Sequence, residues 1–187
     1  MKEEVEKAAK IIKDGGVLLY PTDTIYGLGC DPSNEEAVDR IMKIKQRSPN
    51  KSFILLVDNE AKLQRYAKII PEVCYDLIDY ADRPLTIVYP EGQHVAKQVL
   101  AEEGSVAIRI TDDPFCVALM RATKCGLVST SANISNQAYT GDSLDDMPQS
   151  IKDSVDLVVD LPLRNPNSKP SQIIKIGKDS EVTIIRK

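Results

Sequence analysis

The strongest constraint on this chain is the length of its apolar runs. Residues 17–20, 53–57, 85–89, 105–110, 127–129, 157–159, 172–176 and 182–185 are short runs rich in Val, Ile, Leu and Tyr. Runs of that length, bounded by turn residues, read as strands. Helical spacing appears between them. Val5, Ala8, Ala9 and Ile12 form a first amphipathic helix that Gly15 and Gly16 close. Further helices are expected over 59–67, from Pro71, over 94–100, from Pro114 behind the cap residue Asp113, and over 148–155. Interleaved strands and helices imply an α/β fold with α+β character, an open twisted mixed sheet with helices on its faces. The strands that follow one another at the C-terminal end imply antiparallel pairing there.

No composition break divides the 187 residues, so 1–187 reads as a single domain with a sizeable core. Lys and Arg number 24 against 28 Asp and Glu, and the formal charge of -4 argues against a dedicated nucleic-acid binder. A local basic cleft, with weak RNA binding, stays open. No apolar run reaches membrane-spanning length, and the acidic helical start Met1-Lys2-Glu3-Glu4 does not read as a signal peptide. Cys30, Cys74, Cys116 and Cys125 have no C-x-x-C spacing, which suits reduced structural cysteines in a cytoplasmic protein.

Residues 20–57 carry the most information. The strand ending at Tyr20 and Pro21 runs into a turn-rich loop with Thr22, Asp23, Thr24, Tyr26, Gly27 and Gly29, where Gly27-Leu28-Gly29 reads as a tight turn. Ser33 and Glu36 have the spacing of a capping box. In the helix they would start, Ala37, Val38, Ile41 and Met42 make one stripe, and Lys45 falls at its inward C-terminal end. Pro49 stops the helix near Arg47. Lys45, Arg47 and Lys51 thus bunch beside a loop of hydroxyls. They would either hold a phosphate or carboxylate, or form a solvated basic helix end.

Other patterns are weaker. No G-x-x-x-x-G-K-[ST] is present, and His94, the one histidine, has no nucleophile and acid arranged around it. Asp142, Asp145 and Asp146 lack cation-loop spacing and read as a solvated acidic turn. Arg109 interrupts an apolar strand on the same face as Ala107, either snorkelling at a sheet edge or holding an anion. Residues 129–133, Ser-Thr-Ser-Ala-Asn, form either a capping turn or a polar cradle beyond a strand. Residues 161–170, with three prolines, read as a linker or lid-like loop.

Five of these segments stand in one order: PTDTIYGLG (21–29), KQR (45–47), RPLTIVYP (83–90), SVAIRITDDP (105–114) and STSAN (129–133). Together they resemble the YrdC family, the single-domain bacterial type of threonylcarbamoyl-AMP synthase, over nearly the whole chain. The resemblance implies a YrdC-like sheet with a concave basic cleft. It implies a reaction of L-threonine, bicarbonate and ATP to threonylcarbamoyl-AMP and pyrophosphate, with Mg2+ on the ATP. Downstream transferase proteins would then pass the threonylcarbamoyl group to tRNA. By the same carry-over, Lys45, Arg47, Ser131 and Asn133 are the catalytic set, and Lys45, Arg47 and Lys51 hold phosphates. Arg109 clamps the threonine carboxylate, with Thr24 and Ser129 on the amino acid. Ser105, Ser131, Asn133 and Arg186 face the nucleotide.

Asn136 stands where the family often has glycine after Ser135, which leaves the path of the loop toward Tyr139 open. The extra C-terminal domain of longer relatives is not expected in this sequence. Two alternatives are a non-catalytic relative of the YciO kind and an RNA-binding module. The intact Ser131-Ala132-Asn133 speaks against the first, and the acidic balance without an aromatic stacking cluster against the second.

Overall fold

In the computed structural model, the described residues are 1–46, 53–134, 143–145, 147–164 and 170–187. Nine strands form one sheet among them: β1 (Leu18–Tyr20), β2 (Gly27–Gly29), β3 (Ile54–Val57), β4 (Leu85–Tyr89), β5 (Val106–Ile110), β6 (Leu127–Ser131), β7 (Leu157–Val158), β8 (Gln172–Ile176) and β9 (Val182–Arg186). Their order across the sheet is β7-β1-β2-β6-β3-β5-β4-β8-β9. The pairs β1/β7, β3/β5 and β4/β8 are parallel, and the other neighbours are antiparallel. The helices are α1 (Lys2–Lys13), α2 (Glu35–Ile44), α3 (Leu63–Tyr66), α4 (Val73–Asp79), α5 (Pro114–Thr123) and α6 (Gln149–Lys152). No helix of the described residues is long and apolar enough to cross a membrane.

The two-residue alternation of the strands sorts their side chains onto two faces. On one face Leu18, Tyr20, Leu56 and Leu127 pack under α1 and α5 through Val5, Ala8, Ile12, Phe115 and Leu119. On the other, Leu19, Leu28 and Val128 pack against Ala37, Val38 and Ile41 of α2. Farther along, Leu55, Ile87, Tyr89, Ile108 and Ile174 pack against Leu63, Tyr66 and Cys74. Ser129, Ile54 and Ala107 lie side by side across β6, β3 and β5 and line a cavity.

The capping box does not start α2. Ser33 instead turns its hydroxyl and backbone N–H onto Asp31 Oδ1, and Asn34 becomes the cap, accepting from the Ala37 N–H at 3.0 Å. Asp113 caps α5 as expected, accepting from Phe115 and Cys116. The helix expected over 59–67 is a 3-10 turn followed by the single turn of α3. Over 94–100 only Lys97–Val99 winds, because His94 adopts a left-handed φ of 55°. The helix expected over 148–155 shortens to α6.

The larger correction concerns Gly27-Leu28-Gly29, which is a strand and not a tight turn. At Gly29 a Cβ would come within 2.5 Å of the Tyr20 ring and 2.6 Å of the Val128 carbonyl oxygen. Glycine is what lets β2 insert between β1 and β6. Leu28 between the glycines is fully buried. The four cysteines are free thiols. Burial pushes the Cys74 thiol up to about 11, which keeps it protonated and unreactive near neutral pH.

Asp156 closes the β1/β7 edge. It accepts from the Val17 N–H at 2.7 Å and from both terminal nitrogens of Arg40. The Arg40 guanidinium, followed by the Val17 N–H, holds the Asp156 carboxyl below its ordinary value. That contribution to stability is present above the unfolded-state value near ~3.9 and is lost as pH falls through the lowered one. Asp156→Ala should therefore cost about 1–3 kcal/mol in urea unfolding at neutral pH, and the difference from the wild type should shrink as the pH is taken below the ordinary carboxylate range.

Candidate active site

The cavity has a volume of about 350 Å³. It is lined by the loop between β1 and β2, by the ends of β6 and β5, and by the β8–β9 hairpin. The loop is ordered by one hydroxyl. Thr22 Oγ1 donates to the Ile25 carbonyl at 2.7 Å, accepts from the N–H groups of Thr24 and Ile25, and lies 3.0 Å from Thr24 Oγ1. This is a side chain replacing the backbone hydrogen bonds a tight loop cannot make.

Arg109 enters the cavity from β5 on the same face as Ala107, as alternation requires. Its side chain is only 5% exposed, so it does not snorkel to water. The terminal nitrogen Nη2 donates to Asp23 Oδ1 at 3.0 Å and reaches Thr24 Oγ1 at 3.4 Å. Its Nε is buried and finds no hydrogen-bond partner among the described residues. Across the cavity, Arg186 donates from Nε to the Ser171 carbonyl at 2.9 Å, and Ser171 Oγ is 2.7 Å from Thr86 Oγ1. Partial burial, with the Arg109 charge as the lesser cause, shifts Arg186 below its ordinary value. Two guanidinium groups and the hydroxyls of Thr24, Ser129, Ser131 and Ser171 thus line one concave space. That set suits an anionic ligand with further polar groups to orient.

The expected Ser-Thr-Ser-Ala-Asn loop is half strand: β6 continues through Ser131, with Ser131 opposite Gly27. Ser129 and Ser131 therefore share the cavity face. The turn after them is tied together tightly. Ser131 Oγ donates to Asn133 Oδ1 at 2.6 Å, and Asn133 Nδ2 donates to the Ile134 carbonyl at 3.0 Å.

Lys45 is inward, as its place on the α2 stripe requires, and is 2% exposed. Its ammonium donates to the Ser131 carbonyl, to the Asn133 carbonyl at 2.8 Å and to Asn133 Oδ1 at 3.1 Å. Sequence alone left an external anion or solvent as its partner, and here it meets the oxygens of this turn. Lys45 and Asn133 stand behind Ser131 and do not themselves line the cavity.

The structure therefore gathers Thr24, Arg109, Ser129, Ser131 and Arg186 around one space. Ser105 is elsewhere: its hydroxyl donates to Glu103, which also pairs with Lys175, and Ser105 does not line the cavity. Arg47 and Lys51 lie outside the described residues, as do Ser135, Asn136, Tyr139 and Asp142. Sequence reasoning missed Thr22, Asp23 and Ser171 as parts of the site. Asp23 had a usable signal, since an arginine inside an apolar strand needs a carboxylate nearby. Ser171 had none, because it stands outside every recognised segment.

The profile of the Sua5/YciO/YrdC family, described as "Telomere recombination", matches residues 10–187. The chain belongs to this family. It is 36% identical over 172 residues to the threonylcarbamoyl-AMP synthase of Pseudoalteromonas translucida, covering 90% of this chain and 91% of that one. Within the Sua5/YciO/YrdC family, the Sua5 of P. abyssi complexed with L-threonine superposes with a TM-score of 0.82 at 24% identity, over 94% of this chain and 52% of that chain. The chain thus spans about half the length of that Sua5. E. coli YciO superposes with a TM-score of 0.84 at 23% identity, over 100% and 90%. These two likenesses show the fold, a mixed sheet with helices on its faces.

Lys45→Met keeps the bulk of the side chain and removes its three hydrogen-bond donations to residues 131–133. It should lower unfolding stability by about 1–3 kcal/mol. An unchanged denaturant midpoint would show that the ammonium is not seated on this turn.

Proposed function

We propose that this protein is a threonylcarbamoyl-AMP synthase, a nucleotidyltransferase that joins L-threonine, bicarbonate and ATP into threonylcarbamoyl-AMP and releases pyrophosphate. The carrying observation is the meeting of Arg109, Thr24, Ser129 and Ser131 in one cavity. It occurs in a chain 36% identical to a threonylcarbamoyl-AMP synthase over nine-tenths of its length.

The chemistry asks little covalent participation of the protein. Threonine's amino group takes up bicarbonate as a carbamate with loss of water, and a carbamate oxygen attacks the α-phosphorus of ATP as pyrophosphate leaves. Such a displacement is accelerated by positioning and by neutralising charge. Arg109 would take the threonine carboxylate from the cavity wall. Thr24 and Ser129 would hydrogen-bond the amino acid. Ser131, fixed by Asn133 and Lys45, would face the reacting phosphate, with Arg186 on the nucleotide from the opposite wall. Arg47 and Lys51 belong to this proposal as phosphate contacts. Mg2+ would enter on the triphosphate and screen its charge. No protein ligand is assigned to the ion. A cytoplasmic setting, transfer of the product to tRNA by downstream proteins, and at most weak RNA contact complete the reading.

With ATP, Mg2+, L-threonine and bicarbonate, pyrophosphate release should require both threonine and bicarbonate, and the product should carry the mass of threonylcarbamoyl-AMP. Equal release with threonine omitted would remove this reading. Arg109→Lys keeps the charge but loses the planar fork. It should weaken threonine binding by about tenfold or more while leaving ATP binding nearly unchanged, as isothermal titration would show.

A further inference from the structure

The ion pair between Arg109 and Asp23 stands between two cavities. Arg109 and Thr24 line the first, of about 350 Å³. Asp23 lines a second, of about 660 Å³, beside Asp58, Arg83, Leu85 and Ile110, beyond the carboxyl ends of β3 and β5. The two members of one buried pair, 5% and 9% exposed, thus border different spaces.

A guanidinium is a rigid plane of five N–H donors, so fixing one corner fixes the direction of the rest. Here the fixed corner is Nη2, held by Asp23 Oδ1 at 3.0 Å and met by Thr24 Oγ1 at 3.4 Å. The Nε–H is buried and has no hydrogen-bond partner among the described residues. Asp23 itself does not line the first cavity. We propose that Asp23 is a positioning residue for substrate binding: its carboxylate, on the far side of the pair, holds the Arg109 fork so that the remaining donors stay set for the carboxylate of the amino acid. This rests on the reading of Arg109 as the threonine clamp.

Asp23 also lowers the positive charge that an arriving carboxylate meets. Its benefit is therefore one of geometry, a preset fork in place of a mobile one. The two effects oppose each other, which makes the proposal testable. If charge alone governed binding, removing the Asp23 charge would tighten threonine binding. If Asp23 acts by positioning, removal weakens it.

The experiment is titration of L-threonine, and separately of ATP, into the wild type, Asp23→Asn and Asp23→Glu, with thermal melts of each. Asp23→Asn keeps the size and one acceptor but not the charge. It should weaken threonine binding by roughly tenfold or more and leave ATP binding within about threefold. Asp23→Glu keeps the charge, and the second cavity has room for the longer arm. It should hold threonine within about threefold of the wild type. A residue that only packs the loop gives the reverse order, because Asn is the isosteric replacement. Threonine binding by Asp23→Asn that equals or exceeds the wild type overturns the proposal. If Asp23→Asn does not fold, a folded Asp23→Glu protein that has lost threonine overturns it as well. A wild type that binds no threonine overturns both this proposal and the reaction assigned above, whereas normal wild-type binding with an unaffected Asn variant overturns the positioning role alone.

Discussion

A guanidinium buried in the middle of a sheet is tolerable only with a counter-charge and hydrogen bonds close by. Arg109 sits on β5, between β3 and β4, where strand alternation turns it to the same side as Ala107 and Ile54. Its counter-charge comes from Asp23, 86 residues earlier in the chain. The loop between β1 and β2 must therefore fold over the end of β5. Once it does, the hydroxyls of Thr22 and Thr24 are carried to the cavity wall. Much of the cavity's polar character follows from neutralising this one cation.

A second buried cation organises the neighbouring wall, at the end of β6. Lys45 at the end of α2 reaches the turn after β6 and takes up the carbonyls of Ser131 and Asn133. The apolar stripe of α2 determines where that lysine lies, since Ala37, Val38 and Ile41 are packed against Leu28 and Val128 of the sheet. Packing on one face thus fixes the backbone that presents Ser131 on the other. The glycine at position 29 permits the same economy, because β2 can press against both Tyr20 and β6 only without a side chain there.

What the sequence made legible follows from periodicity. Eight of the strands and the apolar stripes of α1, α2 and α5 repeat at the spacing their geometry demands. The motif residues Thr24, Arg109, Ser129, Ser131 and Arg186 do converge. What stayed hidden depends on contacts far apart in the chain. Gly27–Gly29 looks like a turn because glycine favours turns, yet here the close approach of Tyr20 and Val128 decides the matter. The cap of α2 moved by one residue because Asp31 competes for Ser33. Ser105 has the periodicity of a cavity residue, but Glu103, two residues away, takes its hydroxyl. The inward orientation of Lys45 was readable; its partners were not, since they lie 86 and 88 residues away.

The cavity's two arginines are carried by strands of very different character. Arg109 belongs to a strand flanked on both sides and buried from Val106 to Arg109. Arg186 belongs to β9, the last strand of the sheet, whose residues all keep contact with solvent and which pairs, among the described residues, with β8 alone. Opening of an edge strand costs far less free energy than opening of a central one. The space is thus built from one anchored jaw and one compliant jaw. A ligand that bridges them would tie the outermost strand to a central one, so part of its binding energy would be spent as protection of the β9 amides against exchange with solvent.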